Sequence, residues 1–222
     1  MPYLLLIPVF ILAFLNWLAV AKGWNKAEYV LKPATMIALI AWLGVTAGYS
    51  GALIWFALGL LFSLIGDILL MLPREQFILG LIFFLFAQLA YVVGFNLSAP
   101  PLEWPSLILA LLVALTSFQI YRRIYQGLKK SGLGSLTVPV LVYTIVISLM
   151  LLSALLTLVR PEWDVVPAIL VSAGALLFYL SDVLLAWNKF VAPLESGHRG
   201  VIFYHLGQIL ITLGAAIQLG KI

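Results

Sequence analysis

Hydrophobic residues in this chain do not alternate with polar ones at the period of a helix or strand facing water. They run in long blocks, cut by short clusters of charge, glycine and proline. A block of about 20 apolar residues is what a helix needs to cross a bilayer core. The blocks predict eight helical spans, roughly 3–20, 33–48, 51–72, 77–97, 104–121, 137–157, 165–187 and 199–219. The stretch 33–72 carries one charge, Asp67, and is too long for a single helix. Gly48-Tyr49-Ser50-Gly51 supplies the turn that divides it. The expected fold is all-α, one polytopic transmembrane domain over residues 1–222. The first span follows the N-terminus without a basic leader region, so it reads as a retained helix and not a signal peptide.

Composition strengthens this reading. Of 222 residues 64% are hydrophobic and only 9% are charged, where a soluble domain carries roughly 25% charged residues. Mean hydropathy is +1.18. A water-soluble fold is excluded. The basic residues then serve as a topology signal. Lys22, Lys26, Lys32, Arg74, Arg122, Arg123, Lys129, Lys130, Lys189 and Arg199, ten of the twelve, fall on one side if there are eight spans. Arg160 and Lys221 fall on the other. By the positive-inside rule the first side is cytoplasmic and both termini are outside. Merging the second and third spans would scatter the charges over both faces.

The two halves, roughly 1–100 and 101–222, resemble each other. The segment from Gly80 to Gly94 aligns without gaps on Gly200 to Gly214, with Ile82/Ile202, Phe83/Phe203 and Gln88/Gln208 also identical. GDILLM at 66–71 matches SDVLLA at 181–186, which pairs Asp67 with Asp182. Pro33 is expected to open the second span as Pro139 stands near the start of the sixth. Three matches in the same order predict a 4+4 internal repeat. Four spans is an even number, so the repeats run parallel and meet about an axis along the membrane normal, where sites form.

Asp67 and Asp182 each lie about five residues before the cytoplasmic end of their predicted spans, on the order of 7–8 Å inside it. A charged side chain at a helix centre costs about 2.5–3.5 kcal/mol on the insertion scale. Two at matched depth are candidate catalytic groups facing the bundle interior, although fixing helix packing would also explain them. Carboxylates sharing a poorly solvated site do not readily both ionise, which sets a proton donor beside an anionic acceptor. Other polar residues near that depth are candidate binding groups: Lys32, Ser63, Tyr143, Ser181, Tyr204, His205 and Gln208, with Gln88 and Tyr91 deeper. Lys32 suits a lipid phosphate or an ordinary interfacial anchor. Ser63, four residues before Asp67, and Ser181, beside Asp182, suit orienting roles or helix glue. His205 suits acid–base work or a structural hydrogen bond. Trp17, Trp24, Trp104, Trp163 and Trp187 suit the aromatic belts. With two His and no Cys there is no metal-ligand spacing, and no cofactor is expected. The basic residues are dispersed over short loops and form no nucleic-acid surface.

KPATM (32–36), SLIGDILLM (63–71) followed by LPR (72–74), FFLFAQLAY (83–91), GALLFYLSDVLLA (174–186) and YHLGQILI (204–211) resemble the YhhN-like lysoplasmalogenase family. GD in the third span and SD in the seventh are the specific elements. The resemblance implies an eight-span enzyme that cleaves the vinyl-ether bond of lysoplasmalogens, giving a fatty aldehyde and glycerophosphoethanolamine or glycerophosphocholine. It carries over Asp67, Asp182, Lys32, Ser63 and Ser181, with Tyr91 and Gln208. One position departs: many relatives carry His where this chain has Gln88, which keeps a hydrogen bond but transfers no proton at neutral pH. Two other readings use the same carboxylates. One is a small transporter or lipid-binding protein coupled to a proton or cation; the other is a hydrolase of a different ether or ester lipid. The expected partners are a lysophospholipid substrate and the bilayer.

Overall fold

A computed structural model describes residues 2–72, 76–99, 102–194, 198–220 and 222. Arg74 and Lys221, used above for orientation, and the LPR segment beyond Leu72 lie outside the described residues. A 3-10 turn over Pro2–Leu6 leads into α1 (Ile7–Ala21), followed by α2 (Asn25–Thr46), α3 (Leu53–Met71) and α4 (Phe77–Phe95). Then come α5 (Trp104–Lys130), α6 (Thr137–Leu156), α7 (Val165–Phe190) and α8 (His198–Gly220). Among the described residues there is no strand, and eight helices are long and apolar enough to cross a membrane. The turn between α2 and α3 uses Gly48 and Gly51 at φ 76° and 58°, conformations a residue with a Cβ rarely adopts.

Three helices outrun their predicted spans. α2 starts at Asn25 instead of 33, α5 continues past 121 to Lys130, and α7 continues past 187 to Phe190. Hydropathy marks the part of a helix that sits in hydrocarbon, whereas backbone hydrogen bonding carries on through the polar interface. Charged residues there snorkel and do not end the helix. Pro33 therefore lies inside α2 and does not open it. Its ring removes one backbone donor.

The tightest helix pairs are α3–α4 and α7–α8. Glycine makes the close approach possible, as in membrane bundles generally. A Cβ on Gly174 would stand 2.8 Å from the Gly207 carbonyl oxygen, and one on Gly207 would stand 2.9 Å from the Gly174 carbonyl oxygen. Between α3 and α4, a Cβ on Gly66 would meet Phe84 at 2.8 Å. Successive helices pack within each half, while across the halves α4 lies on α6 and α8 on α2. α8 touches α1, α2, α3 and α7 and so stands near the centre. Its buried side chains include Tyr204, His205, Gln208 and Thr212.

At the end opposite the aspartates, Arg160 is not a free surface charge. It is 3% exposed and donates to Asn96 Oδ1 at 2.7 Å and to the Ser98 carbonyl at 3.1 Å. Asn96 in turn donates to Ser153 at 2.7 Å. These bonds tie the end of α4 to α6 and fix the helix pair against which the site is built.

Candidate active site

Asp67 sits one turn from the end of α3 and is fully buried. Because α2 begins at Asn25, Lys32 already lies on a helix packed against α3 and α8. Its Nζ reaches Asp67 Oδ1 at 2.8 Å. From α8, the Tyr204 hydroxyl donates to Oδ2 at 2.6 Å. The same ammonium lies 5.1 Å from the centroid of the Tyr204 ring, within cation–π range. Asp67 thus has a cation on one oxygen and a hydroxyl on the other, which is how a carboxylate is held away from water. Lys32 is neither a bare interfacial anchor nor free for a ligand alone.

Asp182, on α7, has different company. The Tyr143 hydroxyl of α6 donates to its Oδ2 through a short hydrogen bond. Among the described residues no cation stands within ion-pair distance of it. Behind Tyr143, Gln88 brings its amide close to the same hydroxyl. Gln88 is fully buried and its amide forms no well-shaped hydrogen bond.

Both aspartates line one cavity of about 240 Å³, together with Lys32, Ser181 and Tyr204, with Glu28 and Asn188 among its polar walls. Each carboxyl is bonded through one oxygen to a tyrosine of its own. A second, apolar pocket of about 60 Å³ opens between α4, α5, α6 and α7, walled by residues such as Leu81, Ile124 and Ile147. The two share Leu70, Phe84, Asp182 and Leu185. Asp182 therefore stands where a polar chamber meets an apolar one.

The remaining candidates divide into three groups. Ser63, Tyr91 and Gln208 form a buried network: Tyr91 donates to Gln208 Oε1 at 2.6 Å, and Gln208 Nε2 donates to Ser63 at 2.9 Å. Ser63 sits a turn deeper than Asp67 and is engaged by Gln208, so it does not orient that carboxylate directly. Ser181 lines the cavity without a hydrogen bond to Asp182. His205 turns away from the chamber toward α1, where Trp17 Nε1 donates to its Nδ1 at 3.1 Å. His205 is outside the cavity wall and has the structural hydrogen bond that was one of its two expected roles, and Trp17 supplies that contact between helices.

Sequence reasoning missed Glu28 and Asn188 as cavity residues and did not pair Lys32 with Asp67. A signal was present, because Glu28 and Lys32 are four apart on one helix face. It was hidden by the late start assigned to the second span. Tyr204 stands at the aligned position of Phe84, and both rings flank the chamber. Only the tyrosine reaches a carboxylate.

Every one of these site residues lies within 27–215, the stretch that matches the model of the YhhN family. This chain belongs to the YhhN family. Its relatives include lysoplasmalogenase TMEM86B of Homo sapiens, 33% identical over 69% of this chain and 59% of that protein. The Sus scrofa TMEM86B is 34% identical over 71% of this chain and 61% of its own length. The lysoplasmalogenase of Mycobacterium bovis is 29% identical over 72% and 59%. The chain thus spans about three-fifths of the length of these curated relatives. No solved structure matches it.

The Lys32–Asp67 pair predicts a non-additive stability pattern. Lys32→Met alone strands a buried carboxylate and should cost about 3–5 kcal/mol unless the carboxylate takes up a proton. Adding Asp67→Asn should recover at least about 1 kcal/mol of that loss, read as the unfolding midpoint in detergent. Additive losses would show that the ion pair does not carry the contact.

Proposed function

We propose that this chain is a membrane-embedded lysoplasmalogenase, hydrolysing the vinyl-ether bond of lysoplasmalogens by aspartate acid–base catalysis. The observation that carries this reading is the unequal setting of two carboxyls in one cavity. Asp67 is compensated by Lys32, whereas Asp182 has a tyrosine hydroxyl and, among the described residues, no cation within ion-pair distance, and it adjoins apolar wall. A carboxyl with no cation beside it, in poor solvent, favours its neutral form. Asp182 is assigned as the acid and Asp67 as the ionised member.

A vinyl ether is hydrolysed by protonation at the carbon β to its oxygen. Asp182 transfers its proton to that carbon, and the oxygen's lone pair forms an oxocarbenium ion. The cation develops beside the Asp182 carboxylate, within reach of the field of Asp67, and preorganised charge of this kind lowers the barrier. Water adds to the cationic carbon and returns a proton to Asp182. The hemiacetal then breaks its bond to the glycerol oxygen, which takes the hydroxyl proton. The products are a fatty aldehyde and glycerophosphoethanolamine or glycerophosphocholine. Lys32 keeps two further N–H groups for a lipid phosphate, with Ser181 on the same wall. Tyr143 and Tyr204 hold the carboxyls in place, Gln88 supports Tyr143, and the Ser63–Gln208–Tyr91 network fixes α8 against α3 and α4. The two halves are read as a parallel 4+4 duplication in which both members carry the aspartate and only the first has the lysine.

Asp182→Asn is expected to lower aldehyde release by about 10²–10⁴-fold, and Asp67→Asn to impair it severely, with both proteins folded in detergent. Full turnover in either variant would sink the mechanism.

The cavity is read as cytoplasmic with both termini outside, a reading supported by the distribution of basic residues. The natural chain has no cysteine, so single cysteines report orientation cleanly. Replacing Lys130 by Cys should give labelling only from the cytoplasm, and replacing Glu103 by Cys only from outside. The reverse pattern would invert the topology.

A further inference from the structure

The apolar pocket that starts at Asp182 adjoins a second apolar lining. Thr144 lines it and also lines a groove of about 310 Å³ between α5 and α6. Ala110, Ala114, Phe118, Leu141 and Leu152 are among the groove residues. Several hydroxyls stand along the path, yet their hydrogens are spent within the protein. Thr144 donates to the Val140 carbonyl at 2.8 Å, Ser148 to the Thr144 carbonyl at 2.6 Å, and Tyr121 to the Thr137 carbonyl at 3.2 Å. Tyr179, on the pocket wall, shares a 2.8 Å hydrogen bond with Ser117 in the groove. The lining left over is hydrocarbon and aromatic ring.

The direction is as informative as the chemistry. From Ile124 in the pocket to Ala110 in the groove, α5 rises about 21 Å. One leaflet of a bilayer core is about 15 Å deep. The path therefore runs from the aspartate end of the bundle into the membrane, parallel to lipid chains. At its start the lining changes from charged to apolar within one side chain, Asp182.

We propose that this pocket and groove form the binding path for the unbranched hydrocarbon chain of the substrate, with the reacting bond held at Asp182 and the polar head in the adjoining chamber. The proposal rests on the lipid-hydrolase reading and adds the feature that selects the substrate. A vinyl ether sits at the junction of head and chain, which is where this path changes character. Ala110 and Ala114 set the room available far from the carboxyl and act on chain length, not on chemistry.

The test uses the full chain in detergent and saturated 1-O-alkyl lysophosphatidylcholines, which lack the cleavable double bond, with chains of about 16 or about 8 carbons. Ala114→Trp and Ala110→Trp fill the far groove, and Leu115→Trp, on the exposed face beside it, is the control. Binding of the long analogue should weaken about fivefold or more in the groove variants, with the short analogue within about twofold and the control unchanged. Equal weakening of both lengths, or no change in either, would overturn the proposal. Because binding is read without turnover, the two readings fail separately. A wild-type protein that prefers the long analogue but releases no aldehyde from the alkenyl lipid would retain the path and lose the hydrolase assignment.

Discussion

A charge inside a bilayer must be accompanied, and the contact between Lys32 and Asp67 is where this bundle meets that demand. The pair joins α2 to α3 at 2.8 Å, and Tyr204 brings α8 to the same carboxylate. Three helices from opposite ends of the sequence are thereby fixed around one atom group. The glycine contacts between α7 and α8 and between α3 and α4 do the complementary work. They let backbones approach closely enough for short polar side chains to meet across helices. Remove the ion pair and the polar chamber loses the element that makes its first carboxylate tolerable.

The second carboxylate shows what the first would be without its lysine. Asp182 keeps a tyrosine and, among the described residues, no cation within ion-pair distance, on a wall that turns apolar. Two chemically similar residues at aligned positions thus have dissimilar surroundings. In paired-carboxylate sites, unequal surroundings separate acid from base. Tyr204 and Phe84, which align between the two halves of the sequence, differ by one hydroxyl, and only Tyr204 reaches a carboxylate.

Much of the architecture was legible in the sequence, because a bilayer leaves so few solutions. The eight helices and the Gly48–Gly51 turn follow from hydropathy and turn chemistry, whereas the common chamber of Asp67 and Asp182 does not. Helix ends were not legible. Lys26, Glu28 and Lys32 look like a loop but form the first turns of α2, which is why Pro33 was misplaced. Nor could partners be read. Which side chains meet across helices depends on rotation about each axis, and the sequence pattern does not record this for nearly uniform apolar helices. Hence His205 seemed to belong with the aspartates, whereas its Nδ1 accepts from Trp17, and Tyr143 seemed one polar residue among several.

The proposed mechanism requires the two carboxyls to be in different states, and infrared absorption of the purified protein at neutral pH reads that directly. A protonated carboxyl has a C=O stretch separate from that of a carboxylate. Asp182→Asn should remove such a band, while Asp67→Asn should leave it and remove carboxylate intensity instead. A protonated band that vanishes with Asp67→Asn and survives Asp182→Asn would contradict the assignment of acid and base.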